Sequence, residues 1–200
     1  MARALRQSDR VNLGHVAVLL IDDNLQALDI LSSVVQGFGV KEQIRCSSAV
    51  EAAEVLKRRQ VDLILVDCAM PEMDGYDFTR WLRREAPAPA RQTPVVMLTG
   101  HAAASRVHKS RDCGASFVVT KPLTPTVLLQ RIVWLSTDER EFIQSESYVG
   151  PDRRVRNMGP PLDMVGRRRG DLSTHVGAAV EANMDQSDID SLFKPRRVAL

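Results

Sequence analysis

No stretch of this 200-residue sequence approaches the roughly 18 consecutive apolar residues that a membrane-crossing helix requires, so no membrane partner is expected. The opening stretch MARALRQSDRVNLGH carries basic side chains but no apolar run and no small-residue cleavage site, so no signal peptide is expected either. Cysteine is scarce. Cys46, Cys68 and Cys113 are odd in number and show no CxxC spacing. That argues against a disulfide framework or a paired-cysteine metal site, and for reduced thiols in a cytoplasm. The net charge of +2 is too small to argue by itself for nucleic acid or a membrane surface. What remains, with 44% hydrophobic and 26% charged residues, suits a globular domain with a sizeable core.

The apolar residues fall into short runs that alternate with helical patterns. VAVLLI (16–21), VDLILV (61–66), PVVML (94–98) and SFVVT (116–120) have the continuous apolar character of strands covered on both faces, and EQIRCSS is a weaker strand candidate. Between them, Leu25, Leu28, Leu31, Val35 and Phe38 recur at helical spacing. So do Val50, Ala53 and Leu56, with basic residues expected in that helix's last turn. Phe78, Trp81 and Leu82 mark a third helix, APAPARQT reads as a proline-rich loop, and AAASRVHKSRDCGA is a polar helix. Thr124 and Pro125 are a plausible cap and first residue for a last helix carrying Val127, Leu128, Ile132 and Leu135. Five strands alternating with helices predict an α/β fold, a doubly wound parallel sheet with helices on both faces.

Past Ser136 the periodicity collapses. The expected organisation is an N-terminal extension (1–13), the α/β domain (14–136), and a low-order tail (137–200) too poor in apolar residues to offset its ordering entropy. Between Arg153 and Arg169 that tail has six arginines against one acid, Asp163. Phosphate-rich or acidic partners would suit it, but no aromatic residues stand there for base stacking, so nucleic acid is not favoured. A short helix is expected near 186–193, where Ile189, Leu192 and Phe193 form one apolar face behind an acidic start. Residues 184–195 thus have the form of a helix that docks in a groove, on this chain or on another protein.

In a parallel sheet the strands' carboxyl ends share one edge, where ligands bind. The first strand ends in Asp22 and Asp23, the third in Asp67, the fourth in Thr99, and the fifth in Lys121 and Pro122. Three gathered carboxylates repel one another, so a hard, oxygen-seeking cation such as Mg2+ is expected to share the site. A lysine and a hydroxyl opposite would hold phosphoryl oxygens, and a carboxylate nucleophile forms an acyl phosphate. The pattern predicts a magnesium-assisted phosphoryl acceptor at Asp67.

LLIDDN (19–24), LILVDCAMPEMDG (63–75), VVMLTG (95–100), GAS (114–116) and VVTKP (118–122) resemble, in order, the receiver domain of two-component response regulators. The spacings of 44, 32 and 22 residues from Asp23 to Asp67, Thr99 and Lys121 in turn agree with that family. The resemblance implies a flavodoxin-like fold of five parallel strands and five helices. It also implies Asp67 as phospho-acceptor and Mg2+ held by Asp23 directly, Asp22 mostly through water, Asp67 and the Ala69 carbonyl. Thr99 and Lys121 would engage the phosphoryl group, with a cis peptide before Pro122, and Met70, Pro71 and Gly75 would shape the loop.

The chain departs from the family at Val118, where an aromatic is usual. The neighbouring Phe117 is expected on the strand's other side, as core. The implied function is a non-enzymatic, cytoplasmic response regulator charged by a histidine kinase or histidine phosphotransfer protein. No DNA-binding pattern follows the domain. The alternatives are a phosphate shuttle or sink in a relay, or a switchable scaffold- or nucleic-acid-binding protein acting through the arginine-rich tail.

Overall fold

The computed structural model describes residues 13–138, 140–153 and 183–193. Five parallel strands, β1 (Ala17–Ile21), β2 (Glu42–Cys46), β3 (Leu63–Asp67), β4 (Val95–Thr99) and β5 (Phe117–Thr120), form one sheet in the order β2-β1-β3-β4-β5. Every residue of β1, β3 and β4 is buried, which is why these strands read as unbroken apolar runs. β2 lies at an edge and keeps polar residues half-exposed or exposed, which accounts for its weaker signal. This is the doubly wound parallel sheet that the alternating pattern predicts, and it is flavodoxin-like, as the resemblance implies.

Helices α1 (Leu25–Gly37), α2 (Ala49–Leu56), α3 (Gly75–Arg84), the single turn α4 (Ala88–Arg91), α5 (Ala104–Asp112) and α6 (Pro125–Ser136) flank the sheet. Side chains of Asn24, Ser48, Asp74 and Thr124 cap α1, α2, α3 and α6 by accepting free backbone N–H groups of their first turns. Three expectations need correction. The proline-rich stretch contains α4, because Pro87 and Pro89 set backbone angles that a first helical turn accepts. Leu25 and Val50 are 64% and 49% exposed; their helices bury Leu28, Leu31 and Val35, and Ala49, Ala52, Ala53 and Leu56. α2 ends at Leu56, so Lys57, Arg58 and Arg59 follow the helix instead of forming its last turn.

Within 137–200, a hairpin departs from the low-order reading, while a helix lies where a short one is expected. Strands β6 (Phe142–Gln144) and β7 (Val149–Pro151) pair as an antiparallel hairpin. The Tyr148 hydroxyl closes it by donating to Pro151 O at 2.6 Å. Long-range contacts hold the hairpin on the domain: the buried Arg83 guanidinium lies over the Phe142 ring at 5.5 Å, and Arg153 pairs with Asp112 while covering Tyr148. Helix α7 spans Gln186–Phe193 and packs on β5, burying Ile189 and Phe193. The other five arginines of the cluster between Arg153 and Arg169 lie outside the described residues. No helix among the described residues is long and apolar enough to cross a membrane.

Candidate functional site

The chain leaves β1 toward β2 on one side and continues at β3 on the other, so the carboxyl ends of β1 and β3 flank a crevice. Ile21 is in register with Val66, which sets the next residues, Asp22 and Asp67, beside each other. Both are nearly buried, with 2% and 7% exposure. Thr99 ends β4 opposite Thr120 of β5, and the Lys121 N–H donates to Thr99 O at 2.7 Å. Strand pairing therefore brings Asp22, Asp67, Thr99 and Lys121 to one edge. The Lys121–Pro122 peptide is cis.

One ammonium serves two acids. Lys121 Nζ lies 2.5 Å from Asp67 Oδ1 and 2.9 Å from Asp22 Oδ2. The other oxygens accept backbone N–H groups, Asp67 Oδ2 from Ala69 at 2.6 Å and Asp22 Oδ1 from Asn24 at 2.9 Å. All four carboxylate oxygens are thus bonded. Repulsion between two carboxylates this close is on the order of a few kcal/mol, and a shared cation offsets it. Partial burial pulls the Lys121 pKa down, but hydrogen bonds to Asp67 and Asp22 and their charges push it up, and the net shift is upward. The ammonium stays charged.

Thr99 is engaged elsewhere. Its hydroxyl donates to His101 O at 2.8 Å and accepts the His101 N–H at 3.1 Å, so it ties down its own loop. Asp23 and Ala69 are exposed at the rim, and so is His101. The loop from Cys68 to Gly75 closes on the end of β3, where Gly75 N–H donates to Cys68 O at 3.2 Å. A Cβ on Gly75 would collide with the Asp67 carbonyl oxygen, so only glycine lets α3 start this close to the strand end. Cys68 is buried, and burial pushes its thiol up to about 12. It has no thiolate character to offer.

Sequence reasoning missed two features: the bonds between Thr99 and His101, and the Ala69 N–H on Asp67. The two-residue spacings, 99 to 101 and 67 to 69, are the signal for such local side-chain-to-backbone bonds. Among the described residues no three His, Cys, Asp or Glu side chains form a ready metal cluster. The donor chemistry nevertheless fits a hard cation. The carboxylates of Asp22, Asp23 and Asp67 and the Ala69 carbonyl are all oxygen donors, and the Lys121 ammonium already shows that positive charge is favoured between two of them. A separate surface cavity, lined by Arg83, Arg84, Arg91 and Gln144 among others, lies toward the hairpin and away from these acids.

Residues 18–133 match the family described as response regulator receiver domain. The chain is 32% identical over 134 residues to a probable histidine kinase 2 of Oryza sativa subsp. indica, a match covering 60% of this chain but only 13% of that protein. It is 27% identical over 116 residues to the polar-differentiation response regulator DivK of Brucella ovis, covering 58% of this chain and 92% of the relative. Among solved structures, the chemotaxis protein CheY4 of Vibrio cholerae has a TM-score of 0.56 at 26% identity, over 60% of this chain and 97% of that one. The receiver domain of the Arabidopsis thaliana histidine kinase CKI1, solved in complex with Mg2+, has a TM-score of 0.54 at 26% identity, over 60% and 93%.

Proposed function

Because the chain belongs to the response regulator receiver domain family, we propose that it accepts a phosphoryl group on Asp67 from a histidine kinase or histidine phosphotransfer protein and signals through a phosphorylation-dependent change of protein partner. A carboxylate oxygen of Asp67 attacks phosphorus as the donor's N–P bond breaks, and the product is an acyl phosphate. Lys121 then pairs with the phosphoryl oxygens instead of Asp67 Oδ1, and the Thr99 hydroxyl turns to donate to them. Asp22, Asp23, Asp67 and the Ala69 carbonyl would hold Mg2+, which supplies charge neutralisation when bound.

The observation that carries this reading is the shared ammonium between Asp67 and Asp22 at the sheet's crevice. It sets a charged ammonium against a nearly buried carboxylate, a cation ready to receive three new anionic oxygens. Incubation with acetyl phosphate and Mg2+ is expected to add the mass of one phosphoryl group to the wild type and none to Asp67→Asn, read by intact mass spectrometry. A chelator is expected to abolish the gain. Labelling that persists in Asp67→Asn refutes the assignment.

A further inference from the structure

Among the described residues β5 is the last strand of the sheet, with no strand beyond its outer edge. The side-chain amide of Gln186 takes the place of one. Its Nε2 donates to Val118 O at 3.0 Å and its Oε1 accepts the Thr120 N–H at 3.0 Å and the Thr120 hydroxyl at 3.2 Å. These are the two backbone bonds that a parallel strand residue opposite Val119 would make. Along α7, Asp190 accepts from Gln186 and pairs with Arg131 of α6, both nearly buried. Phe193 lies 5.3 Å from Phe117 of β5, which also meets Trp134 of α6 at 5.2 Å. Just before α7, Met184 N–H donates to Ala102 O at 2.8 Å and Asn183 bridges to Ala103. An amide, an acid and two apolar anchors thus fit α7 to this face, and its leading residues are tied to the β4–α5 loop.

That loop is the one Thr99 holds through His101, one residue before Ala102. We propose that the α5–β5–α6 face is a helix-docking surface occupied by the chain's own α7, and that phosphorylation of Asp67 releases α7 by drawing the Thr99 hydroxyl away from His101. The coupling rests on Asp67 being the acceptor. A hydroxyl has one proton to donate: given to a phosphoryl oxygen, it is withdrawn from His101 O. The His101–Ala103 backbone is then free to move, and Asn183 and Met184 lose their fixed partner. α7 in the resting chain keeps the face closed to any other helix.

Hydrogen exchange of the full chain, followed by mass spectrometry with intact mass recorded in parallel, tests this. With acetyl phosphate and Mg2+, segments 101–104 and 184–193 are expected to exchange faster, by about two- to tenfold for each net hydrogen bond lost, while β1 and β3 are unchanged. Thr99→Val has no hydroxyl for either partner, so its 184–193 segment is expected to exchange fast before any phosphodonor is added. Added phosphoryl mass with unchanged or slower exchange at 184–193 overturns the coupling and leaves the acceptor assignment standing. Absence of the added mass overturns both. Full protection of 184–193 in Thr99→Val that phosphodonor still removes also overturns the proposed route through His101.

Discussion

Gly75→Ala concentrates the steric argument at the candidate acceptor into one methyl group. The new Cβ would fall well inside 3.0 Å of the Asp67 carbonyl oxygen and 3.1 Å from both Asp67 C and Cys68 Cα. All three neighbours are backbone, so none can rotate away; α3 or the end of β3 has to shift. Overpacking of this kind costs about 1–3 kcal/mol, against about 0.4–1 kcal/mol gained because alanine restricts the unfolded chain. The net expectation is a loss of about 1 kcal/mol, or about 2–4 °C in Tm for a chain of this size. Gly37→Ala is the control. Gly37 is the last residue of α1 and has nothing within 4 Å of its Cβ position. There the same chemical change is expected to stabilise by up to about 1 kcal/mol. Urea unfolding of both variants measures the contrast, and acetyl phosphate labelling of Gly75→Ala is expected to slow because Asp67 moves with its carbonyl. Equal stabilities for the two variants, or a Gly75→Ala protein within about 0.5 kcal/mol of wild type, would refute the reasoning.

The cysteines set an alkaline limit. Burial raises Cys46 and Cys68 to about 12 and Cys113 to about 11, against 9.0 for a free thiol. Well below pH 9 all three are neutral in folded and unfolded chains alike; as pH rises through 9 the unfolded chain releases protons that the folded chain keeps, so stability falls from there toward 11 and 12. Urea midpoints across that interval are expected to drop, and to drop less in Cys68→Ala relative to its own value at neutral pH. Arg83 is a separate prediction. Its guanidinium donates to Gly114 O at 2.9 Å, Arg91 O at 2.6 Å and Thr93 O at 2.8 Å, and burial lowers its pKa to about 10. Arg83→Met relieves the buried charge but orphans those carbonyls, with an expected loss of about 3 kcal/mol in urea unfolding. Arg83→Lys is expected to recover little, since one ammonium cannot reproduce a planar fork that spans three carbonyls.

The sheet and the edge that carries the acids were legible because each inner strand is a short apolar run ending in a polar residue. The doubly wound topology then decides where those ends meet. Cap residues such as Asn24 and Thr124 were equally local and equally readable. What escaped was non-local. FIQ and YVGP are too short to show a period, and their hairpin is held by Arg83 and Arg153, whose partners Phe142 and Asp112 lie 59 and 41 residues away. Val50 matched helical spacing as well as Ala52 did, and only the position of the sheet decided which was buried. At the site, sequence put Thr99 and Lys121 near Asp67 but could not say what each bonds in the resting chain. Lys121 has a choice of acids, and Thr99 has its own loop.

A carboxamide is a peptide group in miniature, with one face that gives protons and one that takes them. At position 186 this allows a single side chain to seal the rim of the sheet without extending it. The seal is only as durable as that nitrogen. Hydrolysis to glutamate, the ordinary chemical ageing of glutamine, would turn the donor into an anion facing the Val118 oxygen and the Asp190 carboxylate. An aged molecule would then lose its clasp with every strand still in place.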